Sequence, residues 1–87
     1  MRIDFKHFTV PTGINGLHKQ TGDARESFAD IIYTMVNGIR AHTLAMKIYK
    51  SDGAVEYTDD EVRLMKGLAE RYCTPAFIDG LRAQIQE

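Results

Sequence analysis

This sequence has a single cysteine, no excess of charge of one sign and no long apolar run. Its one cysteine, Cys73, cannot form an internal disulfide, and secreted domains of this size usually depend on several. The 11 basic and 12 acidic side chains are interspersed, with a net charge of −1, whereas a dedicated nucleic-acid binder usually carries a visible basic excess. No stretch approaches the ~20 apolar residues that span a bilayer, and Arg2, Asp4 and Lys6 interrupt anything resembling a signal peptide. We therefore expect a cytoplasmic protein that does not enter a membrane.

The length of 87 residues predicts a single domain covering residues 1–87. Apolar residues make up 44% and charged residues 26%, which are ordinary globular values and argue against disorder. A chain this short holds one modest core, so we expect neither an enclosed cofactor nor a deep substrate cavity.

Alternation of apolar and polar residues predicts an N-terminal β-hairpin. The pattern over residues 2–10 changes phase near residues 6–7, which indicates a bulge. Asn15–Gly16 favours a tight type I′ turn, after which residues 17–20 would form the return strand. A short strand at residues 54–57 can join the same sheet.

Helical periodicity and end signals complete an α+β fold with three or four α-helices packed on these strands. Asp23 followed by Glu26, and Thr58 followed by Glu61, have the spacing of capping boxes. Pro75 suits the first turn of a helix. The predicted helices cover about 24–36, 39–50, 59–72 and 75–86.

The first two helices could be one. A continuous helix over residues 24–50 would be roughly 40 Å long at 1.5 Å per residue. A compact chain of this length is only about 30 Å across. Either the helix breaks at Asn37–Gly38, because glycine disfavours helix interiors, or it protrudes to meet a second chain.

This mismatch leads to our main functional expectation, a small protein–protein interaction module that binds a protein partner or self-associates. The interaction surface would be the part of the 24–50 helix that one core cannot cover, with Met35, Ile39, Leu44 and Ile48 in it. Most other aromatic and methionine residues should be core, but any left exposed would add an adaptable surface. These residues are Phe28, Tyr33, Met46, Tyr49, Met65 and Tyr72.

The alternative is a nucleic-acid-binding regulator. Arg40, Lys47 and Lys50 lie on the 39–50 helix and could contact phosphates as a recognition helix does. Glu56 and the acidic run at residues 59–61 follow closely and would oppose phosphate binding.

No arrangement of residues predicts catalysis or a metal site, so we expect no enzyme, no metal and no cofactor. Cys73 would need a nearby base such as His7, His18 or His42, and those three histidines match no zinc spacing. Residues 48–59 have the glycine turn of a calcium loop, but apolar and cationic side chains occupy its first two ligand positions.

The order of features also resembles small proteins that prophages and bacteriophages encode near their tail-assembly genes. The likeness runs from RIDF at residues 2–5, through LAMKIYKSDGAVEYTDDEVRLMK at 44–66, to TPAFIDGL at 74–81, and the middle segment carries most of it. This resemblance implies a structural or assembly-accessory role. It supplies no functional residues.

Overall fold

The computed structural model describes residues 1–85, which form two strand pairs and four helices, an α+β fold as the sequence predicts. Residue 86, the expected end of the last helix, lies outside the described residues. Within the described chain, no helix combines the length and apolar character needed to cross a bilayer. In chain order the elements are β1 (Arg2–Asp4), β2 (Phe8–Pro11), β3 (Lys19–Gly22), α1 (Arg25–Met35), α2 (Ile39–Tyr49), β4 (Ala54–Glu56), α3 (Asp59–Tyr72) and α4 (Pro75–Ile85).

The N-terminal segment contributes to both sheets. β1 pairs antiparallel with β4, and β2 pairs antiparallel with β3, as two separate two-stranded sheets. The predicted strand at 54–57, found at Ala54–Glu56, therefore pairs with the N-terminal segment, but the prediction that it joins the sheet of the β2–β3 hairpin is wrong. The expected irregularity near residues 6–7 is a bend between β1 and β2. One carboxylate oxygen of Asp4 accepts the backbone N–H groups of Lys6 and His7, each at 2.9 Å, and so holds this bend.

The β2–β3 turn differs from the predicted two-residue turn. The Gly16 N–H donates to the Gly13 carbonyl at 3.0 Å, so Ile14 and Asn15 are the central residues. Gly16 has a φ of 69° and follows them instead of forming the turn's centre. The loop is therefore longer than expected, and the return strand begins at Lys19, two residues late.

The helical stretch at 24–50 breaks at the predicted place, and the alternative of one protruding rod is wrong. α1 ends at Met35, and the backbone at Val36 is extended. Gly38 has a φ of 111°, a left-handed conformation that favours glycine, and it immediately precedes α2. The chain reverses there, and α2 packs alongside α1.

The two predicted capping boxes have different outcomes. Thr58 accepts the Glu61 N–H, and the Glu61 carboxylate accepts the Thr58 N–H, as predicted. The box at Asp23 is wrong, because the Asp23 carboxylate instead binds the guanidinium of Arg25, at 2.7 Å. α1 starts after Ala24 and has no side-chain cap.

Aromatic rings form the centre of the core. Phe8 stacks on Phe77 with ring centroids 4.8 Å apart, and on Phe5 at 5.5 Å. Tyr57 meets Phe5 edge-on. Aliphatic side chains from every helix, and from β1, complete this core. They include Ile3, Ile32, Leu44, Ile48, Met65 and Leu81.

Candidate functional site

Two of the four residues predicted to form the interaction surface are exposed, and two are buried. Met35 and Ile39 are 57% and 81% exposed and flank the α1–α2 turn. Leu44 and Ile48 are 1% and 0% exposed, so their assignment to a surface is wrong. Because the chain reverses at Gly38, α2 lies on the body of the protein and turns these two side chains into the core.

A shallow apolar groove runs between α1 and α2 on the side away from the core. Ala29 and Ala45 are almost fully buried, and their small side chains form its floor. Tyr33 and Tyr49 border it and are 61% and 52% exposed, while Met46 is half-buried. The groove encloses about 200 Å³. We call this surface the α1–α2 groove, lined by Ala29, Asp30, Tyr33, Ala45, Met46 and Tyr49.

Each of the two tyrosines lies near a polar side chain at one end of the helix pair. Tyr33, near the end of α1, lies against His42 with ring centroids 5.6 Å apart. Tyr49, at the end of α2, lies near Arg25. Hydrogen bonds from the Arg25 guanidinium lower the pKa of Asp23 to about 2, and the ion pair of these two side chains lies beside Tyr49 at this end of the helix pair. The α1–α2 groove therefore has polar side chains near both ends and apolar side chains at its centre.

α2 has a second apolar stripe besides the one in the core. Ile39, His42, Met46 and Tyr49 follow one another at spacings of three, four and three residues. This is the a/d spacing at which two helices pack along a seam. We call these four residues the α2 seam; three of them are exposed and Met46 is half-buried. The sequence analysis named Met46 and Tyr49 only as residues that would add an interaction surface if exposed, and it did not place His42 on a surface, although this spacing could have revealed the stripe.

The three cations of the nucleic-acid alternative have different environments. Arg40 and Lys50 are exposed near opposite ends of α2. Lys47 donates to the Glu61 carboxylate at 2.8 Å and lies 4.7 Å from the centroid of the Tyr57 ring. Burial raises the pKa of Glu61, but hydrogen bonds from Lys47 and the Thr58 backbone outweigh it and lower that pKa overall. Lys47 is thus already paired with a carboxylate.

The candidate catalytic and metal-binding residues are not assembled into a site. Cys73 is half-buried, and desolvation raises the pKa of its thiol, which is the opposite of what a nucleophile needs. His7 is exposed, with its Nδ1 3.2 Å from the Asp4 carboxylate. Among residues 1–85, no three histidine, cysteine or acidic side chains are grouped so that they could hold a metal ion.

Comparison with known proteins returns no family model, no curated protein and no solved structure that matches this chain. The α1–α2 groove and the α2 seam therefore have no counterpart in a relative from which a role could be transferred. Function has to be inferred from their geometry and chemistry.

Proposed function

We propose that this chain is a small protein–protein interaction module that docks its partner on the α1–α2 groove. One observation carries the proposal. Tyr33 and Tyr49 are each more than half exposed to solvent, and they border the groove floor made by Ala29 and Ala45. A flat alanine floor lets a partner approach closely, and the two rings offer apolar area on both sides of it.

The residue types suit docking better than they suit the fold. Tyrosine is enriched at interface cores because its ring contributes apolar area while its hydroxyl tolerates water. Met46 adds a flexible side chain that adapts to a partner's shape. The core requires neither Tyr33 nor Tyr49 to be aromatic, since both rings lie largely outside it.

The resemblance of residues 44–66 to prophage and bacteriophage proteins supports a structural or assembly-accessory role for the module. α2, which carries the α2 seam, begins just before that segment, and Met46 and Tyr49 belong to it. Docking on a second protein is what an assembly accessory needs, so the resemblance and the geometry support the same proposal.

Photo-crosslinking in the native host tests this function, because it captures whichever protein touches the labelled position. Tyr33 is replaced by benzoyl-phenylalanine, and the same replacement at Tyr72, an exposed tyrosine on α3, is the matched control. We expect a discrete adduct from position 33, identified by mass spectrometry, and little or none from position 72. Equal yields at the two positions, or no adduct at either, would contradict docking at the groove.

A further inference from the structure

The α2 seam is complementary to itself. In an antiparallel pair of α2 helices, Ile39 lies opposite Tyr49 of the partner subunit, and His42 lies opposite Met46 of the partner subunit. Every seam position is therefore matched with another seam position, and each contact occurs twice about a two-fold axis. The core face of α2 is not involved, because Leu44 and Ile48 point away from the seam into the body of the protein.

We propose that a second copy of this chain occupies the groove, with the two α2 helices packed antiparallel along their seams. This inference rests on the proposed docking function and specifies its partner. Met46 of each subunit enters the groove of the other, between Tyr33 and Tyr49. The two α1–α2 hairpins together then form a four-helix arrangement with apolar side chains at its centre.

Hydrogen-bond complementarity supports a second copy as the occupant. Asp30 is exposed on the α1 wall of the groove, beside Met46. Because His42 of the partner subunit lies opposite Met46, it comes next to Asp30. An imidazole N–H there donates to the carboxylate, and the two-fold axis repeats this contact. An unrelated helix would have to bring its own donor to the same place.

Charge at the ends of α2 does not select between the two orientations. A parallel pair would place the two Lys50 ammonium groups side by side, whereas the antiparallel pair brings Lys50 of each subunit to the end of α2 that carries the exposed Arg40 of the partner subunit. The antiparallel orientation follows instead from the seam, because it places His42 of the partner subunit opposite Met46 and next to Asp30.

The interface is small, so association should be weak and depend on concentration. Two eleven-residue helices with their neighbouring walls fall toward the lower end of specific interfaces, below roughly 1,200 Å² of total buried area. The solution mass of the full chain, measured by sedimentation equilibrium, should rise from 9.9 kDa toward twice that value as concentration increases. Met46→Asp should stay at the monomer mass at every concentration while keeping its native helical circular dichroism.

Disulfide trapping then tests the orientation. The variants His42→Cys and Met46→Cys are made separately, both with Cys73→Ser, mixed in equal amounts and oxidised gently. The antiparallel seam predicts that the mixed 42–46 disulfide exceeds either homodisulfide at least several-fold, because only that pairing brings two Cα atoms within the bonding range of about 4.4–6.8 Å. Arg71→Cys on α3, in the same background, should give no specific product.

Three results would overturn this inference. The native chain could remain a monomer at millimolar concentration, Met46→Asp could dimerise like the native chain, or homodisulfides could predominate. A monomer that still crosslinks to a different protein from position 33 would reject only the second copy and leave the docking function standing. A dimer that never crosslinks from position 33 would instead count against the groove itself.

Discussion

Replacing Gly80 with alanine should destabilise the protein, although the same change usually strengthens a helix. Gly80 lies in α4 where that helix crosses β2, and a Cβ built there comes within 2.6 Å of the Thr9 carbonyl oxygen and 2.9 Å of the Phe8 ring. Ordinary contact begins near 3.4 Å, so helix and strand must separate by 3.4 − 2.6 = 0.8 Å. The Thr9 backbone cannot simply rotate away, because β2 is paired with β3 through Thr21.

The expected loss of stability in Gly80→Ala follows from two opposing effects. Alanine gains about 1 kcal/mol in intrinsic helix propensity over glycine, and overpacking a tight site costs about 1–3 kcal/mol. A clash with backbone lies at the upper end of that range. The net loss is therefore about 2 kcal/mol, or a fall in melting temperature of roughly 8–16 °C for a domain of this size.

Gly67→Ala is the matched control, because Gly67 also lies inside a helix, α3, but a Cβ there meets nothing within 4 Å. It should stabilise the protein by up to about 1 kcal/mol. Both variants are compared with the native chain by thermal and urea unfolding, followed by circular dichroism at 222 nm. If Gly80→Ala stabilises the protein as much as Gly67→Ala does, the close approach of α4 to β2 is wrong.

Two further predictions concern the core. Ile48→Ala should lower the free energy of unfolding by about 2–5 kcal/mol, because the side chain is fully buried. Ile14→Ala, on the fully exposed hairpin loop, should change it by no more than about 0.5 kcal/mol. Similar losses for the two variants in urea unfolding would contradict this prediction. Burial takes the Tyr57 hydroxyl out of water and raises the pKa of Tyr57 to about 12. The hydroxyl meets no hydrogen-bond partner in the described chain, and the nearby Ser51 hydroxyl opposes the shift only in part. The unfolded chain ionises near pH 10, so stability should fall as the pH rises from about 10 to 12, and Tyr57→Phe should remove that part of the fall in unfolding experiments across this range.

Local signals predicted the helix ends well where the residues of the signal bind each other in the structure. The Thr58–Glu61 capping box forms although Glu61 also binds Lys47, because the same carboxylate oxygen accepts from both donors. The same spacing at Asp23 failed because Arg25, two residues away, offers the carboxylate a guanidinium. A capping pattern alone does not show which of two local partners an acidic side chain will choose.

The candidate surface was harder to predict, because periodicity shows which residues share a face but not which face is buried. α2 has two apolar stripes, one through Leu44 and Ile48 and the other through Ile39 and Met46. The surface predicted from the sequence combined residues of both stripes. Only the reversal at Gly38 fixes the first stripe in the core and leaves the second outside.

The second stripe is the feature that folding does not explain. Ile39 is 81% exposed, so its side chain contributes little to the core, and a polar residue there would serve the fold as well. A scattered exposed isoleucine needs no explanation, but the α2 seam repeats at the spacing of a packing helix and borders a groove with an alanine floor. In water this arrangement leaves apolar area uncovered beside Tyr33 and Tyr49. Covering it with a second helix is favourable by roughly 25 cal/mol per Å² of apolar area, before the cost of association, and α2 of another copy has the matching spacing.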